Sequence, residues 1–245
     1  MLNIRIMLQQ LCALIFLVLV VVCLAGCATS NTGILPNSVT NTSVSPDYNR
    51  WLRKQPCTAP CWEGITPGIT TYKQAQLLLD QNNFFTNVEL KLPTEITWDW
   101  RGTRRYSGSA RFDAWSAKPV IHSISIGSPE SFKIKDVIAA FGYPSHVSVA
   151  AEPGIDIGDG IVYSMYAYYV PYGFYLFLGG TGDAIFIKPA VSPETLVGNV
   201  NFFVPSMDGL HNANVRENPI LWQGTFDFDT YCKLQYGSEA NSHCQ

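Results

Sequence analysis

His122 stands in an apolar strand pattern with Val120, Ile124 and Ile126, and Asp113 precedes it in what reads as the neighbouring strand. An imidazole beside a carboxylate is the minimum for proton transfer, the chemistry an envelope hydrolase would need. A lone histidine on such a face is more often a hydrogen-bonded structural residue. Glu152, Asp156, Asp159 and Asp183 surround two Gly-rich turns and raise calcium as a ligand. The run Asp156-Ile157-Gly158-Asp159-Gly160 lacks the alternating oxygen ligands and distal Glu of a calcium loop, so a solvated turn is expected. Gly-x-Ser-x-Gly, His-Glu-x-x-His and a paired Cys/His nucleophile are all absent from the chain. Gly64 and Gly68 precede no Gly-Lys-Ser/Thr, so they form no phosphate cradle. Catalysis is therefore not the favoured expectation, and no cofactor or metal is expected.

Cysteine chemistry is more telling. Leu24-Ala25-Gly26-Cys27 closes an apolar run from Leu11 to Ala25, with Arg5 before it. Small residues ahead of a cysteine form a bacterial lipobox, which predicts a signal peptide over 1–26 and lipid (palmitate) on Cys27. The run of about 15 residues falls short of the roughly 20 that span a bilayer. The expected location is the cell envelope, outside the cytoplasm, with the membrane reached through the N-terminal lipid. Cys12 and Cys23 leave with the signal, so Cys57, Cys61, Cys232 and Cys244 remain. An even set in an oxidising compartment reads as two disulfides, and three pairings are open. The favoured one is Cys57–Cys61 with Cys232–Cys244, because Pro56 and Pro60 stiffen the first short loop. A zinc site would want histidine partners, and only His243 neighbours one of these cysteines.

After processing, 15 Lys and Arg face 19 Asp and Glu, a formal charge of −4. Such a domain has no basic surface for phosphates, which argues against nucleic acid and against polybasic adhesion to anionic lipid. Residues 27–46 are rich in Ser, Thr and Asn and bury too little to fold, so they read as a flexible tether.

The positioning elements follow from periodicity. Asp47 to Arg53 reads as a short capped helix ending before Pro56. Thr71 and Gln74 make a capping box, and Tyr72, Ala75, Leu78 and Leu79 share one helical face. Alternation then predicts strands, with Ile96, Trp98 and Trp100, then Ala110, Phe112 and Ala114, then Val120, His122, Ile124 and Ile126 opposite Ile121, Ser123 and Ser125. The Arg104-Arg105 stretch reads as a solvated turn between the first two of these. A second helix places Ile134, Val137, Ile138 and Phe141 at i, i+3, i+4 and i+7, closed by Gly142 and Pro144. Strands follow at 145–150, 160–170, 172–178 and 184–188. In the tyrosine-rich strand, Tyr163, Met165, Ala167 and Tyr169 face one way and Tyr166 and Tyr168 the other. Core packing is the leading expectation for these tyrosines, and an aromatic platform for a protein or glycan partner is the rival. Toward the end, Val200, Phe202 and Val204 read as a strand, Pro205 to Leu210 as a turn, and Phe226 and Phe228 alternate with Asp227 and Asp229.

The fold expected is α+β, in two tandem helix-plus-antiparallel-sheet units over 47–130 and 131–245. Gly68-Ile69-Thr70 leading into Ala75 and Leu78-Leu79, and Val137 leading into Phe141-Gly142-Tyr143-Pro144, each resemble half of the Gly-x-Thr…Val-x-x-x-Leu-Gly-x-Pro signature of SmpA/OmlA-like (BamE-like) lipoproteins. The first helix is followed by Asp80-Gln81-Asn82-Asn83 where that signature has Gly-x-Pro, and the second lacks the Gly-x-Thr lead. The tandem arrangement also resembles β-lactamase-inhibitor proteins, and the run from Cys57 to Gly68 is similar to uncharacterised bacterial lipoproteins. These resemblances imply small α+β domains. The function expected is a lipid-anchored, non-catalytic scaffold or binding module, with an envelope hydrolase using His122 as the alternative.

Overall fold

The capping box forms as the sequence predicts. Thr71 Oγ1 accepts from the Gln74 amide at 3.4 Å while Gln74 Oε1 accepts from the Thr71 amide at 3.1 Å, and helix α1 (Tyr72–Gln81) follows. Its buried face is narrower than expected: Ala75 and Leu79 are enclosed, whereas Leu78 is 37% exposed. Helix α2 (Ile134–Phe141) starts where Asp136 Oδ2 accepts the Lys133 amide at 3.0 Å. It ends at Gly142, whose φ of 81° closes the last turn through a bond to the Ile138 carbonyl. Ile134, Val137 and Phe141 are its buried stripe.

This computed structural model describes residues 47, 49–91, 93–103, 107–153, 160–179, 186–213, 218–240 and 244. The expected signal peptide over 1–26, Cys27 and the expected tether over 27–46 lie outside the described residues, as do Arg104, Arg105, Asp156, Asp159, Asp183 and His243.

Nine strands pair in one antiparallel sheet: β1 (Phe85–Lys91), β2 (Glu95–Trp100), β3 (Ser107–Phe112), β4 (Ile121–Lys133), β5 (His146–Pro153), β6 (Ile161–Tyr169), β7 (Phe174–Phe177), β8 (Leu196–Phe203) and β9 (Ile220–Leu221). The order across the sheet is β1-β2-β3-β4-β8-β7-β6-β5-β9. Each run of four consecutive strands forms a meander, and the runs join where β4 pairs β8, with Ile124 opposite Phe202 and Ser125 opposite Asn201. Strand β4 spans position 130/131, with its register against β8 shifting between Gly127 and Phe132, and residues 45–245 form one compact unit. The class is α+β, with one large antiparallel sheet.

Alternation assigns one residue of each pair to the helix-covered face. There Ile96, Trp98, Ala110, Ile124, Ile126, Val200, Phe202, Leu176, Phe174, Met165, Ala167, Val147 and Val149 join α1 and α2 in a single apolar cluster. The segment leading into α1 fills it from both ends. A 3-10 turn at Arg50–Arg53, shorter than the expected helix, buries Trp51 against Phe132, Phe141, Phe174 and Phe202 at centroid distances of 5.3–5.7 Å. Trp62 stacks on Trp98 at 5.4 Å and meets Phe85 and Trp100. Between the two tryptophans lies the loop closed by Cys57–Cys61. The disulfide thus closes the loop that connects the two tryptophan anchors.

Several local expectations are corrected. Strand β1 is not visible as alternation because its register shifts between Thr86 and Glu89, with Asn87 at φ 52°. Ile121 belongs to the core at 0% exposure: a second shift sets it opposite Phe112, so His122 is the extra residue of a bulge. Phe186, Ile187 and Lys188 are not in a strand. Ser206 caps helix α3 (Met207–Asn212) by accepting from the Gly209 amide at 2.9 Å, where a turn was expected. Helix α4 (Phe228–Tyr236) replaces the expected alternation at Phe226 to Asp229, because Asp227 Oδ2 accepts from the Thr230 amide at 2.8 Å and caps a helix. Phe228, Tyr231 and Cys232 then share its buried face. Cys244 pairs with Cys232. Gln235 in α4 donates to the Val149 carbonyl at 2.9 Å and accepts from its amide at 3.1 Å, covering the edge of β5 beyond its short pairing with β9.

Candidate binding face

The residues that alternate away from the core form the other face of the sheet. One cross-strand row crosses every strand: Glu89, Thr97, Ser109, Ser125, Asn201, Tyr175, Tyr168, His146 and Leu221 stand opposite one another in that order. Beside it, Glu95, Arg111, Ser123 and Phe203 make a second row. Aliphatic side chains are nearly absent from its centre, where serine, asparagine and arginine replace them.

Helix α3 divides this face. Leu210 packs on Tyr168 and Phe203, with Tyr166, Val170, Tyr175 and Ala213 around them, so the face over β6–β8 carries its own small apolar cluster. Gly209 is required at this seat, because a Cβ there would collide with the Val204 carbonyl. Over β3, β4 and the near side of β8 nothing among the described residues covers the sheet in the same way.

At that border Ser109, Arg111, Ser123, Ser125, Tyr175, Asn201 and Ala213 line a cavity of about 150 Å³. Arg111 Nε donates to Glu95 Oε1 at 3.2 Å, across β3 and β2. Ser109, Ser123, Ser125 and Asn201 make no side-chain hydrogen bond with the described residues, and Arg111 makes none besides that to Glu95. Four hydrogen-bonding side chains without partners among the described residues, joined by Arg111 with its bond to Glu95, therefore line one small space.

The four tyrosines do not form one platform. Tyr163 and Tyr169 lie in the core at 9% and 1% exposure, on the face of Met165 and Ala167. Tyr168 is fully buried under α3, its hydroxyl 2.7 Å from Ser148 Oγ. Tyr166 alone is half-buried on the far face, near Tyr175 and Phe177. Alternation separates the first pair from the second, and α3 then closes over Tyr168.

His122 is half-buried, and its Nδ1 is enclosed with no hydrogen-bond partner. Burial lowers its pKa, the Arg111 guanidinium lowers it further, and Asp113 acts in the opposite sense. Asp113 is exposed and spends Oδ1 on the Trp115 amide at 3.0 Å, so the imidazole and the carboxylate form no hydrogen-bonded pair. His122 does not line the cavity described above. Among the described residues no three His, Cys, Asp or Glu side chains are grouped to hold a metal.

A second surface lies beside α1, where Ile69 (70% exposed), Leu77 and Leu78 border a groove of about 570 Å³ with Gln74 and Lys118. Comparison of the chain with protein-family models, with curated proteins and with solved structures finds no match. Alternation alone sets Ser123 and Ser125 opposite Ile124 and Ile126, but it does not single out Ser109, Arg111 or Asn201. The signal was present in the serines and asparagine that alternate with Ile124, Ile126, Val200 and Phe202.

Proposed function

We propose that this protein is a lipid-anchored, non-catalytic binding module of the bacterial cell envelope, and that its partner is taken on the uncovered sheet face around β3, β4 and β8. The observation that carries the reading is the set of four side chains, Ser109, Ser123, Ser125 and Asn201, that have no partner among the described residues and line one cavity together with Arg111. Buried polar groups in folded proteins find partners, and a group of half-exposed ones pointing at a common space is poised to receive them from outside. Anchoring through Cys27 and export by residues 1–26 belong to the same proposal, supported by the Leu-Ala-Gly-Cys arrangement. Two tandem units, each a helix followed by four strands, are the reading of the fold that the chain order supports, and the resemblance to β-lactamase-inhibitor and BamE-like proteins stands with it. The hydrolase alternative is weaker, since among the described residues His122 has no hydrogen-bonded carboxylate and it does not line the cavity.

Photo-crosslinking in native membranes tests this. A photoreactive residue replacing Ser125 should yield a discrete adduct, whereas one replacing the exposed Leu234 on α4 should not. Equal labelling from both positions, or none from Ser125, would overturn the binding face. In the same cells Cys27→Ser should abolish incorporation of labelled lipid, and unchanged incorporation would remove the anchor from the proposal.

A further inference from the structure

Resting on that reading of the sheet face, we infer that the cavity between β3, β4, β8 and β7 binds a single uncharged sugar residue. Size sets the first limit. Drug-sized ligand sites run to roughly 300–1,000 Å³, whereas a cavity near 150 Å³ holds about one benzene-sized ring, and this one is about 150 Å³. The space admits the ring of one sugar, whose substituents extend toward its open side, and it excludes the bulk of an oligosaccharide or a nucleotide.

Charge sets the second. Among the described residues the one charged side chain lining the space is Arg111, and Glu95 already sits 3.2 Å from its Nε. That pair is neutral overall, so the described lining offers no surplus positive charge for a phosphate or sulfate, groups that are met by clustered cations or helix N-termini. An extended peptide is disfavoured for a different reason. Strands β3, β4, β8 and β7 are hydrogen-bonded on both sides, so no backbone edge is offered to a guest strand.

Donor and acceptor count sets the third. A pyranose carries hydroxyls that each donate and accept. Ser109, Ser123 and Ser125 supply hydroxyls of the same dual kind, Asn201 supplies two donors and an acceptor, and the Arg111 Nη groups supply further donors. Tyr175 borders the space with an aromatic ring, an apolar surface with a polar tip suited to the C–H side of a sugar.

The test is saturation-transfer difference NMR on the full-length protein in zwitterionic detergent micelles. The probes are glucose, galactose, mannose and N-acetylglucosamine, each as the free sugar and as its methyl glycoside, with glucuronate and inorganic phosphate as charged controls. The free sugar mimics a soluble ligand and the glycoside a chain end. Saturable transfer to at least one neutral sugar in either arm is expected, weakened roughly tenfold or more by Arg111→Gln and about threefold to tenfold by Asn201→Ala, as the loss of charged and neutral hydrogen bonds implies. Lys73→Ala, on α1, should leave it unchanged. Transfer to none of the neutral sugars, transfer insensitive to both variants, or stronger response to phosphate or glucuronate would overturn the inference. If the sugars fail while Arg111→Gln still abolishes the Ser125 crosslink, the sugar assignment falls and the binding face stands.

Discussion

Ser125 and Tyr168 occupy the same cross-strand row on the same face of one sheet, yet the first is exposed and the second is fully buried. The strands do not explain the difference, since both meanders alternate with the same period. Helix α3 does, by returning over β6–β8 and setting Leu210 on Tyr168 and Phe203. Period two fixes which residues share a face; whether that face is dry is decided by a segment distant in the chain. The uncovered half keeps serines and an arginine, and the covered half keeps aromatics.

The face beneath both halves is continuous, so breaking it should cost most. Trp98 is 1% exposed, stacks on Trp62 and lies against Gly108, where any side chain would strike its ring. Trp98→Ala should lose about 3–5 kcal/mol through lost burial and a cavity, a large share of a typical 5–15 kcal/mol. Denaturant melts of the full chain should show a lower midpoint with one cooperative transition. Two separated transitions, with only one displaced, would mean that the meanders do not share a core.

Next comes the cover itself. Leu210→Ala removes the residue that distinguishes the two halves and should cost about 2–5 kcal/mol if α3 is seated as described. Its second signature is specific: Tyr168 should become reachable by tetranitromethane, whereas Tyr169 in the core should not. A small loss without Tyr168 nitration would show that α3 does not cover the face.

How much of this was legible in the residues follows the same division. Thr71, Gln74, Gly142 and Pro144 marked the two long helices because caps are local hydrogen-bond chemistry. Ile96, Trp98 and Trp100 marked β2 because alternation is local too. Three cysteine pairings were open in the sequence, and the one favoured for the Pro56 and Pro60 loop is the one that forms. Bulges were invisible: Asn87 in β1 and His122 in β4 each break the period that would have revealed the strand or placed the side chain. Ser206 and Asp227 were read as turn or strand residues although each is a helix cap, since a six-residue helix and a nine-residue one carry little periodicity. The cavity was least legible. It needs β8, remote in sequence, to lie beside β4, and nothing in a single strand announces that pairing.

His122 sits on the bulge at the border of the uncovered half, and acid should expose it. Its folded pKa lies below the ordinary histidine value near 6.5, chiefly through burial and then through Arg111. Below that ordinary value the unfolded chain takes up a proton that the folded chain resists, so stability present at pH 7 and above falls as pH drops through 6.5 toward the lowered pKa. His146 is shifted in the same direction by burial, so the wild-type trend alone does not separate them. The difference between wild type and His122→Gln does: midpoints measured at pH 7.5 and pH 5.5 should drop less in the variant. An equal drop would assign the effect elsewhere.

The smallest effect belongs to the row itself. Ser125 is exposed, makes no side-chain hydrogen bond with the described residues, and lies opposite Ser109 and Asn201. Ser125→Ala therefore removes no internal partner and should change stability by less than about 0.5 kcal/mol. Ser148→Ala, on the covered half, removes a buried hydrogen bond at 2.7 Å to the Tyr168 hydroxyl and should cost about 0.5–1.5 kcal/mol. Two serine-to-alanine changes on one face should thus differ several-fold in a denaturant melt. If Ser125→Ala cost as much as Ser148→Ala, the hydroxyl at 125 would be a structural group held by the fold. With Ser125 near zero and Ser148 costly, the hydroxyls over β3 and β4 are available to a ligand and those under α3 are already spent on the fold.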